Sequence, residues 1–140
     1  MTQHQIELVK SSFAKILPIA QEVTDIFYSR LFEIAPYLRS LFIGDMKEQG
    51  KKMIETLTFA VDNLNRLEEI VPALQKMGND HKSYGVANAH YDIVASALLW
   101  TLERGLGAEF TNDVRNAWVA LYITVVDTLK KESNGDQKAA

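Results

Sequence analysis

An all-α fold is predicted from three observations. Apolar residues recur every three or four positions along nearly the whole chain, which places them on one face of successive helices. Prolines and glycines stand between these stripes, at Pro18, Pro36, Gly44 and the Gly105–Gly107 pair, where they punctuate helices. The one β-branched run, LYITVV (121–126), reads as a strand only in isolation, because its flanks keep helical spacing. Six or more helices follow.

The first helix opens at Thr2-Gln3-His4-Gln5, a capping box in which Thr2 bonds the exposed amides and Gln5 reaches back. Ile6, Val9, Phe13 and Ile16 form its buried face. After Pro18, a second stripe runs through Val23, Phe27, Leu31 and Ile34. Pro36 closes it, because proline disfavours helix at the residue before it. A short piece, PYLRSLF (36–42), leads to a Gly44-Asp45 turn. Met53, Leu57, Ala60 and Leu64 mark a third long helix whose stripe extends back to Gln49. Ile70, Leu74 and Met77 mark a fourth, and the next position at that spacing is His81. Beyond Gly85 come Tyr91, Val94, Leu98 and Leu102, with Gly105 and Gly107 breaking the chain. Val114, Trp118, Leu121, Val125 and Leu129 form the last stripe. The polar ending is expected to fray, which gives a domain over 1–132 and a tail over 133–140.

Composition excludes several function classes. The chain has 140 residues, the size of one domain with a substantial core. It contains no cysteine, so disulfides, thiolate catalysis and Cys-based metal sites are ruled out. A net charge of −3 and a pI near 5.6 give no basic footprint for nucleic acid. The longest apolar runs, such as IVASALLWTL (93–102), are about half of a bilayer span. The N-terminus lacks the layout of a secretory signal. A soluble cytoplasmic protein, monomer or homodimer, is expected.

Few residues invite chemistry. There is no HExxH motif, no carboxylate–histidine cluster at metal spacing, no glycine-rich phosphate loop and no nucleophile elbow, so no catalytic residue is assigned. On spacing alone His81 is either a hydrogen-bonded core histidine or a metal ligand; for His4 and His90 the plainer reading is stronger. Gln49 heads an otherwise apolar stripe. It is either a helix end that reaches water or a buried amide that needs partners, at about 1–3 kcal/mol if it finds none.

Taken together, certain stretches carry a resemblance that no single residue does. FYSRLF (27–32), APYLRSLF (35–42), EQGKKM (48–53), DNL (62–64), HKSYGV with HY (81–91) and AW with Tyr122 stand in one order, with Gln49 and His81 32 positions apart. In these the chain resembles the bacterial single-domain haemoglobins, relatives of the globin domain of flavohaemoglobins, over residues 1–132. The resemblance implies a globin fold of six to eight helices around haem b. It implies that His81 ligates the iron, a role the globins as a class give to histidine, and that Phe42 packs on the haem face. Tyr91 matches a tyrosine beside the proximal histidine. Tyr28 and Gln49 match the polar distal pair, Met53 and Leu57 the apolar wall beside them, and Met77, Val86, Val94 and Leu98 further haem-lining positions. Trp118 and Tyr122 match last-helix positions, where core packing is the plainer account.

The resemblance further implies reversible binding of O2, with CO and NO as further ligands. Its biology would be oxygen storage or delivery, or nitric oxide detoxification as a dioxygenase. Alternatives are a haem-based gas or redox sensor and a haem-free interaction module; no transducer segment supports the first, and the second has no need of His81, Phe42, Tyr28 and Gln49 together. A gas that acquires negative charge gains from donors such as Tyr28 and Gln49, whereas carbon monoxide gains less. No histidine lies in 49–64, so a bis-histidine state is not expected. Two departures stand out. Flavohaemoglobins continue into a reductase domain, whereas this sequence ends at Ala140, so turnover is expected to draw on a separate NAD(P)H-dependent reductase. Where the family places a glutamate near the proximal histidine, this chain has Ser133, with Glu132 adjacent: the register slips by one or the proximal push is weaker. Gly50 replaces a proline common in relatives and is expected to loosen the start of that helix.

Overall fold

The structure, a computed structural model, describes residues 1–42, 44–70, 72–73, 76 and 88–139, with 67–68, 88–89 and 128–139 described by backbone alone. Helix α1 spans Gln3–Ile16, α2 Ala20–Ile34, α3 Met46–Asp62, α4 Asn88–Leu106 and α5 Asn112–Ala139. Short 3-10 segments at Leu17–Ile19, Pro36–Leu41, Leu64–Ile70 and Gly107–Glu109 join them. Among the described residues, then, five α-helices stand where six to eight are expected, and the all-α fold is as predicted. The fourth predicted stripe accounts for the difference. Its first member, Ile70, is buried at the end of a 3-10 segment, while Leu74 and Met77 lie outside the described residues.

The capping box forms as read: Gln5 N–H donates to Thr2 Oγ1 at 3.1 Å, and Thr2 N–H to Gln5 Oε1 at 3.0 Å. Ile6, Val9, Phe13 and Ile16 are all buried, and they pack α1 against α5. Trp118 fastens that pair. Its ring is fully buried and its Nε1–H donates to Ser12 Oγ at 2.9 Å, so the core-packing account holds for this residue. In α2, Val23, Phe27 and Leu31 are buried as expected, but Ile34 is 39% exposed, because it is the last residue of the helix.

Two glycines at the end of α4 behave differently from one another. The helix runs through Gly105, whose missing Cβ leaves room for Ile16 Cδ1, 2.8 Å from where that carbon would stand. The break comes at Gly107, where φ is +59°, a left-handed value that favours glycine. The run 121–126 is helical, within an α5 whose backbone runs to Ala139. Helix α2 lies against both α4 and α3. The site is built from the seam between them.

Candidate functional site

Helix α2 supplies the first wall. Thr24, Tyr28 and Phe32 stand four apart and therefore share one helical face. Tyr28 and Phe32 lie with ring centroids 6.1 Å apart and planes 25° from parallel, and Phe27 meets Tyr28 edge-on at 5.0 Å. Ala35 leaves the helix at φ −139°, and the 3-10 segment at Pro36–Leu41 turns the chain. It delivers Phe42 in extended backbone, with its ring edge-on to both Tyr28 and Phe32 at 5.5 Å. The half-buried Tyr28 ring thus meets three phenylalanines. Burial pushes its phenol up to about 12, so it keeps its proton well beyond neutral pH.

Helix α3 supplies the facing residue. Asp45 caps it, with Oδ1 accepting from Lys47 N–H at 2.9 Å, and Gln49 N–H donates to the Asp45 carbonyl at 3.2 Å. Gln49 is half-buried and meets Tyr28 through its main chain: the phenol donates to the Gln49 carbonyl at 3.4 Å. The usual O–H···O separation is about 2.7–2.8 Å, so this phenol is only loosely satisfied. Gly50 is not a loose helix start. It is buried in the second turn of α3, and a Cβ there would stand 2.8 Å from Thr24 Oγ1. Its lack of a side chain is what lets α3 begin so close to α2. Thr24 was invisible to the motif reading, although its i−4 relation to Tyr28 could have flagged it.

Met53 and Leu57 follow Gln49 by four and eight positions and are half-buried on the main core, as are Tyr28 and Phe42. Helix α4 contributes Val94, half-buried, and Leu98, buried, to the same core. Tyr91, earlier on the same helix, packs against α5. It is buried in a small satellite cluster with Tyr122, Val125 and Val126, where the Tyr122 hydroxyl donates to the Tyr91 carbonyl. Burial raises both phenols, and for Tyr122 the charges of Tyr91 and Asp92 add to it. Tyr122 is therefore a tie to Tyr91 as well as a packing residue. His81, Met77 and Val86 lie outside the described residues, as do the side chains of Glu132 and Ser133. His4 is exposed, and His90 is half-buried with its ring 6.2 Å from that of Tyr37. Phe32 and Arg39, unassigned in the sequence, also belong to the aromatic group.

The globin family model matches residues 25–129, which take in most of α2, all of α3 and α4 and most of α5. The chain belongs to the globin family. It is 31% identical over 125 residues to the flavohemoprotein of Bacillus subtilis (strain 168), covering 87% of this chain and 31% of that protein. The flavohemoprotein of Vibrio cholerae is 27% identical over 125 residues, again 87% of this chain and 32% of the relative. The globin thus spans about a third of the length of the curated relatives it matches. An engineered carbene transferase from Rhodothermus marinus superposes with a TM-score of 0.86 at 23% identity, covering 99% of this chain and 98% of that one. A hexacoordinated heme protein from an anhydrobiotic tardigrade gives 0.84 at 14% identity and 94% coverage of both. These two likenesses show the fold. Membership of the globin family implies haem-based binding of small gas ligands.

Proposed function

We propose that this globin holds haem b and binds oxygen reversibly at ferrous iron, with carbon monoxide and nitric oxide as further ligands. When bound, haem supplies the iron on which a diatomic gas is held. The chain supplies the rest. His81 ligates through one imidazole nitrogen and offers the other to an acceptor that fixes its orientation. Phe42 packs on the group, and Met53, Leu57, Met77, Val86, Val94 and Leu98 line it with apolar surface that excludes water. Tyr91 braces the side of His81. Tyr28 and Gln49 carry the hydrogen-bond donors that face the gas.

One observation carries this reading. The Tyr28 ring packs among aromatic rings, its phenol keeps its proton to about pH 12, and among the described residues that phenol has one partner, at 3.4 Å. A buried hydroxyl with a short, well-aimed bond would have nothing left to give; this one retains a donor that a polar ligand can recruit. A gas that takes on negative charge accepts that bond, and carbon monoxide benefits less. The fit of the residues to haem rests on this under-used donor beside the Phe42 ring.

Oxygen storage or delivery and nitric oxide detoxification use the same residues. Kinship with flavohemoproteins supports the second, with electrons drawn from an NAD(P)H-dependent reductase. Two measurements test the proposal. Purified protein should show a Soret band and the pyridine haemochrome of haem b; a colourless protein that takes up no added hemin refutes it. Oxygen-loaded protein mixed with nitric oxide in stopped flow should then yield nitrate, and regeneration by cell extract with NADH would assign detoxification. No nitrate leaves storage or delivery.

A further inference from the structure

We propose that Arg39 is a positioning residue for the gas-binding side of the site, acting on Tyr28 through Phe42; the inference rests on the haem reading above. Phe42 sits where the 3-10 segment gives way to extended backbone, at φ −103° and ψ 114°. Both of its main-chain polar groups are held by one residue. Phe42 N–H donates to the Arg39 carbonyl at 3.2 Å, and Arg39 Nη1 donates back to the Phe42 carbonyl at 3.1 Å. One main-chain and one side-chain bond thus close a ring over residues 39–42. They fix the peptide planes on either side of the Phe42 Cα, and with them the direction in which its ring leaves the backbone.

The same guanidinium lies over Phe32, the second ring that Phe42 abuts, 5.7 Å from its centroid and at the outer end of cation–π range. Phe42 passes the constraint on by standing edge-on to Tyr28 at 5.5 Å and to Phe32 at the same distance. Ser40, the next residue, does not share this task, because its Oγ donates back to the Tyr37 carbonyl at 2.9 Å. Arg39 is itself exposed, so water can replace its bond with little loss of stability. What water does not replace is the direction of the bond. Arg39 therefore sets where the Phe42 ring stands, and so how far the Tyr28 phenol can swing from the Gln49 carbonyl toward a bound gas.

The test compares Arg39→Met, which keeps the stem and removes the donors, with Arg39→Lys, which keeps a donor. In haem-loaded protein, Arg39→Met should speed oxygen dissociation about three- to tenfold, the effect of misplacing one ordinary hydrogen bond. Carbon monoxide dissociation should stay near wild type, the infrared stretch of bound carbon monoxide should shift, and the thermal midpoint should hold. Arg39→Lys should return rate and stretch toward wild type. An unchanged oxygen rate and stretch in Arg39→Met overturns the proposal. So does a change that both variants share in step with a lower thermal midpoint, since that is general loosening. Proton NOEs between the Phe42 and Tyr28 rings separate this result from the haem reading, since they need no haem. Their loss in Arg39→Met and retention in Arg39→Lys supports the positioning role even if the wild type takes up no haem, and their persistence in both refutes it.

Discussion

Tyr28→Phe removes one hydroxyl from a group of aromatic rings and leaves the packing of those rings in place. In the protein without a gas the loss is small. The phenol donates to the Gln49 carbonyl at 3.4 Å, a long bond that contributes at most about 0.5 kcal/mol, the low end for a hydrogen bond. Phenylalanine also avoids burying a hydroxyl among Phe27, Phe32 and Phe42, so thermal stability should be unchanged or slightly higher. With oxygen the balance reverses. A donor to a charged acceptor contributes about 1.5–3 kcal/mol, and each 1.4 kcal/mol is tenfold. Oxygen dissociation, followed by stopped-flow displacement with carbon monoxide, should therefore rise about ten- to a hundredfold. Carbon monoxide dissociation, displaced by nitric oxide, should change far less. An oxygen rate within twofold of wild type would show that the hydroxyl stays on the Gln49 carbonyl throughout, and the donor argument for this site would fall.

Other expectations follow from the same geometry. His81→Ala should lose haem or hold it weakly, while His4→Ala and His90→Ala keep it; full pyridine haemochrome stoichiometry with unchanged ferrous spectra in the His81 variant would refute the ligand assignment. Gly50→Ala places a Cβ 2.8 Å from Thr24 Oγ1 and 3.1 Å from Thr24 Cβ, so it should destabilise by about 1–3 kcal/mol in urea unfolding. Adding Thr24→Ala removes the nearer atom, so the double variant should lose less than the sum of the two single losses. The Tyr28 phenol ionises near 10.0 when unfolded and near 12 when folded. Its contribution to stability is thus present below pH 10 and lost as pH rises toward 12. Denaturant midpoints in Tyr28→Phe should fall less over that interval than in wild type, and equal slopes would show that the phenol is not desolvated.

The sequence alone determined whatever depends on spacing along one element. Helical period put Ile6, Val9, Phe13 and Ile16 on the inner face of α1, and Thr2 with Gln5 set its start, because both are relations within a few residues. An ordered set of short motifs marked the globin family, since residue type and chain order survive without coordinates. Tertiary structure decided what depends on two elements approaching each other. Gly105 and Gly107 look alike in sequence, yet one clears space for Ile16 and the other turns the chain. Gly50 looked like a loosened helix start until Thr24 of another helix stood against it. Tyr28 and Gln49 were paired in advance as two side-chain donors, but the contact that forms runs from the phenol to a main-chain carbonyl. Tyr91 is held through its carbonyl by the Tyr122 hydroxyl, from 31 positions away on another helix. Such contacts depend on where distant backbones meet, and side-chain periodicity carries no record of a carbonyl's direction or of the gap between two helices.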